Sequence, residues 1–139
     1  MAIQVRLPFP PSVNKAYAST RGGRRVLSKE GRLYKQAVRE VIGKAYGLKP
    51  HILGDVDKLH LSITLHTRCI NKGWSTGNAK SRYKRVDVSN RVKLLEDALF
   101  ESIDLDDSHV FCLNICKTHS ESEEYADVHL CALLDKDDQ

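Results

Sequence analysis

The sequence predicts a two-layer α+β domain in which two main helices pack on one face of a mixed β-sheet of about four strands. Two segments carry apolar residues at the helical period, and one segment alternates between apolar and polar residues. The predicted elements follow one another in the order β-α-β-α-β-β. The length of 139 residues fits one domain, residues 1–139, whose core needs no disulfide or metal to be stable.

The N-terminal part begins with a strand predicted from Ile3 to about Phe9, because prolines at positions 8, 10 and 11 end interior strand pairing. The segment from Ser12 to Leu27 is predicted as a loop. Ser28 has the position of a helix N-cap, and the first helix should end near Gly47. Apolar residues recur along this helix at helical spacing: Leu33, Tyr34, Ala37, Val38, Val41, Ile42 and Ala45.

The middle of the chain contains the clearest strand and the second helix. Apolar residues at positions 59, 61, 63 and 65 alternate with polar ones, the period of a half-buried strand. A long polar excursion from Arg68 to Arg85 leads to a helix predicted from about Val88 to Ile103. At about 100° per residue, one stripe of this helix forms its core face: Val88, Val92, Leu95, Leu99 and Ile103.

The C-terminal part is predicted to contain two strands. The segment from Val110 to Lys117 is apolar on both faces, which is typical of a central strand. After the polar loop THSESEE, a last strand runs from Tyr125 to Leu134. An acidic tail, residues 135–139, ends the chain.

Composition excludes several functional classes. A hydrophobic fraction of 41% and a charged fraction of 29% are those of a soluble globular protein, and the 6% aromatic content argues against an aromatic-rich ligand barrel. We find no secretory signal and no apolar run long enough to cross a membrane, so we expect a cytoplasmic protein without a membrane partner. The four cysteines at positions 69, 112, 116 and 131 are then expected to be reduced thiols.

Two histidines and two cysteines superficially resemble a zinc set: His109, Cys112, Cys116 and His119. Side chains alternate along a strand, so the two cysteines would lie on one face and the two histidines on the other. We therefore do not expect zinc.

Basic residues are concentrated in two loops, at about 18–28 and 68–86, which we expect to be flexible. The net charge is only +4, but these loops are nearly free of acids, and they hold Arg21, Arg24, Arg25, Lys29, Arg68, Lys72, Lys80, Arg82, Lys84 and Arg85. One such loop alone would fit a solvated surface equally well. Two of them favour a polyanion as the partner, with strongly salt-dependent binding.

Trp74, the one tryptophan, lies in the second basic loop and allows two interpretations. It could stack on an unpaired base or wedge into a distorted helix junction. Alternatively it could cover the core beneath the loop, the commoner place for a single tryptophan. Tyr83 allows the same two interpretations, and we favour burial for both.

Acidic residues follow the second basic loop. Mg²⁺ needs one or two carboxylates together with water and substrate phosphate oxygens, so Asp87 and the pair Asp106 and Asp107 could hold it. Asn90, Lys93 and Asp97 lie within about 60° of one another on the second helix, and Lys93 could neutralise charge that develops on a phosphate. On the residues alone, a helix cap at Asp87 and an Asx-type turn at residues 106–108 are the favoured interpretations.

Four motifs in the same order resemble the RusA family of endodeoxyribonucleases, the Holliday-junction resolvases common in prophages. LPFPPSVN at residues 7–14 is similar to the family's N-terminal motif, and VLSKEGRLYKQAV at 26–38 to the start of its first helix. RVDVSNRVKLLEDAL at 85–99 is similar to its catalytic D-x-D-N-x-x-K segment, and LDDSHV at 105–110 to its later paired aspartates. The resemblance spans almost the whole chain.

The resemblance implies a bacterial or phage-encoded homodimer that binds four-way DNA junctions and cuts two opposed strands with Mg²⁺, or with Mn²⁺ as an alternative. Asp87, Lys93 and Asp107 match catalytic positions, with Asp106 beside the last, and Asn90 matches the motif asparagine. Ser89 stands where the best-known form of the motif has a second aspartate. Because a hydroxyl binds a hard cation more weakly than a carboxylate does, this departure predicts weaker metal affinity or a lower rate, unless Asp106 substitutes.

Overall fold

The computed structural model describes residues 2–47, 53 and 57–133. A four-stranded sheet and two long helices make up most of it. In chain order the elements are β1 (Ala2–Pro8), α1 (Val13–Ala16), β2 (Tyr17–Ser19), β3 (Arg25–Leu27), α2 (Lys29–Tyr46), β4 (Leu59–Thr67), α3 (Ser89–Ile103), β5 (Val110–His119) and β6 (Tyr125–Ala132). The predicted α+β class, with a mixed sheet and two main helices, is confirmed.

The main sheet has the strand order β1-β6-β4-β5. β6 pairs antiparallel with both β1 and β4, whereas β4 and β5 are parallel. The parallel pair is connected through α3, as a β-α-β unit requires. This connection places the beginning of α3 near the end of β5.

One face of the sheet forms the core with α2 and α3. The predicted alternation in β4 is confirmed, because Leu59, Leu61, Ile63 and Leu65 are buried against the helices. The side chains of α3 that are buried cover a wider arc than the predicted stripe, since Leu94, Ala98 and Phe100 are buried as well. No helix in the described part of the chain is long and apolar enough to cross a membrane.

The first helix begins and ends where the sequence predicts. The Ser28 hydroxyl accepts a hydrogen bond from the Gly31 N–H at 3.1 Å, which caps α2. Gly31 has to be glycine, because a Cβ there would lie 2.5 Å from the Ala16 carbonyl oxygen. Of the apolar residues at helical spacing, Tyr34, Val38 and Ile42 are buried.

The segment from Ser12 to Leu27, predicted as a loop, is largely regular, and that prediction is wrong. It folds into the short helix α1 and a two-stranded sheet in which β2 pairs antiparallel with β3. Strands of three residues are too short to show an alternating pattern in sequence. The basic residues Arg21 and Arg24 lie in the connection between these strands, and Arg25 begins β3.

The prediction that β5 is a central strand is also wrong, because β5 lies at the edge of the sheet and pairs, among the described strands, only with β4. Leu59 pairs with Val110 and His60 with Cys112, so Phe111 is an extra residue in a β-bulge. Phe111 and Leu113 remain exposed. The apolar residues of this segment alternate on both faces of the strand, and that pattern is what predicts a central strand.

Other boundaries at the C-terminal end can be compared only in part. β6 ends at Ala132, two residues before the predicted end, and Leu134 and the acidic tail lie outside the described residues. His109 and His119 lie at opposite ends of β5. His109 Nδ1 is 3.0 Å from the Asp57 carbonyl oxygen, and His119 Nδ1 accepts the N–H groups of Cys69 and Ile70 at 3.2 and 3.3 Å.

Candidate functional site

The beginning of α3 carries Asp87 and Ser89. The Ser89 hydroxyl donates a hydrogen bond of 2.8 Å to Asp87 Oδ1, and the Asn90 N–H donates to the same oxygen at 3.3 Å. These bonds, that of Ser89 first, lower the pKa of the exposed Asp87 carboxyl. Asp87 is thus a cap of α3, as one interpretation of the sequence held, and its ionised form is stabilised.

Lys117 stands next to this helix start and was not among the site residues predicted from the sequence. Its Nζ donates a hydrogen bond of 2.9 Å to the Val86 carbonyl oxygen, and its charge contributes to the lowered pKa of Asp87. Lys117 pairs with Leu65 in the parallel ladder, so it lies on the side of the sheet that faces the helices. A cation therefore lies beside the first candidate acid.

The middle of α3 brings together charges of both signs. Glu96, which the sequence analysis overlooked, is half-buried, and its pKa is raised by burial first and then by the negative charges of Asp107 and Asp97. The positive charge of Lys93 acts in the opposite direction. Asp107, Asp97 and Lys93 are therefore close enough to Glu96 to influence its pKa, and Glu96 makes no hydrogen bond within the described residues.

Asp97 is held in place by the small sheet formed by β2 and β3. The Tyr17 hydroxyl donates a hydrogen bond of 2.9 Å to Asp97 Oδ2. Burial first and then this bond raise the pKa of Tyr17 to about 12. The phenol therefore stays protonated at neutral pH and acts as a permanent donor to the α3 carboxylate.

Asp106 and Asp107 lie in the turn between α3 and β5. Asp106 Oδ1 accepts the Ser108 N–H at 2.8 Å and caps a short 3-10 turn, and bonding to Ser108 lowers the pKa of Asp106. The turn predicted at these residues is therefore present. Both aspartates border a shallow depression of about 450 Å³, together with Asp97, Phe100, Glu101, Asp104 and Leu105.

The candidate acids thus form two groups along α3. Asp87 is at the helix start, whereas Asp97 lies eight residues beyond Ser89, or about 12 Å along the helix axis. Lys93 and Glu96 lie between the two positions. The structure brings together Lys93, Asp97 and Asp107, but it does not place Asp87 on the depression that the other aspartates line.

The residues of the two basic stretches are exposed. Arg21, Arg24, Arg25 and Lys29 are exposed on or beside the small sheet, and the Arg25 guanidinium lies 5.9 Å from the Tyr17 ring centre. Tyr17 therefore connects one basic surface to Asp97. In the second stretch Arg68, Lys72, Lys80, Arg82, Lys84 and Arg85 are all exposed.

The two aromatic residues of the second basic loop are not buried, contrary to the interpretation we favoured. Trp74 is 45% exposed and Tyr83 is 54% exposed. Both side chains are therefore partly open to solvent. The alternative interpretation, contact with nucleic acid, stays a prediction for both residues.

Comparison with known proteins gives one result. The family model described as Endodeoxyribonuclease RusA matches residues 8–129, most of the chain. The chain belongs to the RusA endodeoxyribonuclease family. A search of curated proteins gave no match. Membership in the RusA family implies endodeoxyribonuclease activity on Holliday junctions, and the matched region includes every acid and cation described above.

The residues of this RusA protein suit a hard divalent cation in chemistry but do not form a closed cage. Carboxylates, the Ser89 hydroxyl and the Asn90 amide are oxygen donors of the kind that Mg²⁺ prefers. Yet no group of three or more His, Cys, Asp or Glu side chains among residues 2–47, 53 and 57–133 is arranged to hold a metal. The donors fit an ion that one or two carboxylates hold and that water and substrate phosphate complete.

Proposed function

We propose that this RusA protein is a Mg²⁺-dependent, structure-selective endonuclease that cuts opposed strands of four-way junctions as a homodimer. Its role would be recombination and repair of DNA in the cytoplasm of a bacterium, encoded by the host or a phage. The proposal rests on one observation above all. The acids and Lys93 in the middle of α3 belong to a chain of a junction-cutting family, and this chain also exposes two basic stretches.

Acids beside a basic DNA-binding surface oppose DNA binding unless a cation compensates them. The raised pKa of Glu96 is consistent with this reasoning, because burial first and then the negative charges of Asp107 and Asp97 raise it, and Lys93 only partly offsets them. A divalent cation held by Asp107, with Asp106 or Asp97, would supply that compensation. When bound, such an ion lowers the pKa of attacking water and stabilises charge on phosphorus.

The remaining roles fall to the chain itself. Lys93 would donate to a phosphate oxygen that gains charge, and Asp87, fixed by Ser89 and Asn90, would orient water or a phosphate-bound ion at the helix start. The two basic surfaces would bind the backbones of the junction arms without reading base sequence. Two equivalent sites in a two-fold dimer would match a junction with near two-fold symmetry and produce paired cuts.

The decisive experiment compares DNA structures with and without metal. Purified protein is incubated with labelled four-way, linear and single-stranded DNA, with Mg²⁺ or with EDTA, and the cuts are mapped. We expect paired cuts in opposed strands of the junction in Mg²⁺ alone. Equal cutting of linear DNA, or cutting that persists in EDTA, would contradict the proposal.

A junction-binding protein that no longer cuts is the second candidate. It is favoured by Ser89, whose hydroxyl is bonded to Asp87 where the family's best-known motif has an acid. This candidate predicts salt-sensitive junction binding without nicking at any Mg²⁺ or Mn²⁺ concentration. A regulatory protein that uses the fold only to dimerise would show neither junction preference nor metal dependence in the same assay.

A further inference from the structure

The second basic loop, residues 68–86, is folded around a cavity of about 460 Å³. Lys84 N–H bonds to the Cys69 carbonyl oxygen at 2.7 Å, and Asn71 N–H bonds to the Arg82 carbonyl oxygen at 2.8 Å. Ile70 and Tyr83 form an antiparallel bridge between these bonds. The two ends of the loop are therefore held together like a short hairpin, with the cavity on one side.

Trp74 stands on the wall of this cavity with its main chain fixed at both ends. Its N–H donates to the Asn71 carbonyl oxygen at 3.1 Å, and its own carbonyl oxygen accepts the Gly77 N–H at 3.3 Å. Gly73 packs so tightly beside it that a Cβ would lie 3.0 Å from the Ala79 nitrogen. The main chain that carries this large aromatic side chain is thus fixed while almost half of the residue remains exposed, which costs hydrophobic free energy that a ligand could recover.

The remaining walls combine cations with a fixed histidine. The cavity is lined by three cations, Arg68, Lys72 and Lys84. Ile70 adds an apolar surface. His119 Nδ1 accepts two loop N–H groups, so it anchors the cavity to the end of β5. One acid, Glu121, lies 3.9 Å from His119 Nε2, which leaves the balance of charge positive.

We propose that this cavity binds an unpaired nucleobase of branched DNA, with Trp74 stacking on the base and Arg68, Lys72 and Lys84 binding the flanking phosphates. The volume lies within the range of small-molecule sites. An aromatic face accepts any base, and neighbouring cations follow the backbone, which is the pattern of single-strand recognition. The inference rests on the proposed function, since branched DNA supplies the base.

The position of the cavity gives the base a role in selectivity. Lys84 precedes Asp87 by three residues, so their Cα atoms are within about 11 Å of each other. A paired base would have to be unstacked first, at a cost of a few kcal/mol, and this cost is smallest where pairing is already broken. The cavity would therefore favour the branch point of a junction over continuous duplex beside the first candidate acid.

The experiment uses Trp74 as its own probe, because the chain has one tryptophan. In EDTA, emission is recorded during titration with an unlabelled four-way junction, the same strands as linear duplex, and one single strand. Fluorescein anisotropy on parallel samples gives the occupancy. We expect the junction and the single strand to quench Trp74 at saturation and the duplex to leave it nearly unchanged at equal occupancy. Equal quenching by duplex, or a saturated junction without quenching, would overturn the inference.

Variants separate stacking from charge. Trp74→Ala should weaken junction binding between about 5-fold and 150-fold while duplex binding stays the same, and Trp74→Phe should restore most of the loss. Tyr83→Ala is the matched control, an exposed aromatic in the same loop that does not line the cavity, and we expect less than about a twofold change. Equal losses in Trp74→Ala and Tyr83→Ala would count against the cavity.

The same samples distinguish the two proposals. If anisotropy shows no preference for the junction over the duplex, or if Mg²⁺ produces no junction cuts, the proposed function fails. If the junction is preferred and cut while Trp74 is unaffected by binding, the proposed function stands and only the cavity inference fails.

Discussion

The acid at the start of α3 and the acid in its middle have pKa values shifted in opposite directions. At the helix start, neutral donors and a nearby lysine lower the pKa of Asp87. In the middle, burial and two neighbouring acids raise the pKa of Glu96, and Lys93 only partly compensates. Negative charge is therefore already stabilised by protein groups at the start and is in surplus in the middle. The comparison indicates that a bound cation would interact most favourably with the acids in the middle of α3, beside Asp107.

The largest expected effect comes from removing the charge that creates this surplus. We predict that Asp107→Asn lowers Mg²⁺-dependent cleavage of a four-way junction at least about 100-fold. The reason is that the proposed cation loses a carboxylate ligand, and with it the stabilisation of charge on the phosphate is lost. Junction binding, measured by anisotropy in EDTA, should be retained or tighter, since a repulsive charge is gone. The matched control is Asp127→Asn, an aspartate that pairs with Arg6 on β1 and β6. Cleavage by Asp107→Asn at the wild-type rate would contradict the proposed role of Asp107 in cleavage.

The support of the middle group can be tested through Tyr17. Tyr17→Phe removes the hydroxyl that donates to Asp97 without changing the ring. Because the acceptor is a carboxylate that remains partly buried, we expect the free energy of unfolding to fall by about 1.5–3 kcal/mol. Urea denaturation measures this change. Tyr46→Phe is an informative comparison, since among the described residues the Tyr46 hydroxyl bonds only main-chain groups of Gln4. If cleavage falls for Tyr17→Phe but not for Tyr46→Phe, the orientation of Asp97 matters for function.

Particular residues show how far the sequence could predict this site. The period of α3 predicted that Asn90, Lys93 and Asp97 share a flank, and the family motif identified Asp107. Glu96 was not predicted, although its spacing contains a signal. It follows Ser89 by seven residues, which places both residues on the same side of the helix. Neither Tyr17 nor Lys117 could be found in this way. Tyr17 reaches Asp97 across a sequence separation of 80, and the place of Lys117 depends on a strand register that includes a bulge.

The fold follows the same pattern. The long elements α2, β4 and α3 carry enough periods to be predicted from sequence, and each is confirmed. The errors occur where the local pattern is short or where tertiary pairing decides the outcome. The strands β2 and β3 have three residues each, and the apolar sequence of β5 does not show that only one of its edges is paired.

Ser89 tests whether the helix start takes part in metal binding at all. Ser89→Asp restores the acid of the best-known family motif, and we expect the Mg²⁺ concentration for half-maximal cleavage to fall severalfold, since a carboxylate binds a hard cation better than a hydroxyl. Ser89→Ala is the control, because it loses the hydrogen bond to Asp87 and gains no charge. An unchanged Mg²⁺ requirement in Ser89→Asp would indicate that the ion binds in the middle of α3 and not at the helix start.

The smallest expected effect is on stability, through Glu96. Its pKa in the folded protein is raised above the ordinary value of 4.5, so its contribution to stability is fully present at pH values below 4.5 and is lost as pH rises through the folded pKa. Glu96→Gln does not ionise and avoids that loss. We therefore expect the variant to be more stable than the wild type at pH 7 in EDTA, by less than about 1 kcal/mol because solvent screens a half-buried group.

The pH and metal dependence of this difference provide the control. The advantage of Glu96→Gln should disappear below about pH 4.5, where the unfolded carboxyl also holds its proton. Mg²⁺ at neutral pH should stabilise the wild type more than the variant if it binds near Asp107, because ligand binding to the folded state adds to stability. A variant that is less stable than the wild type at pH 7 would show that Glu96 makes favourable contacts that outweigh the repulsion. The surplus of negative charge would then have to be assigned elsewhere on α3.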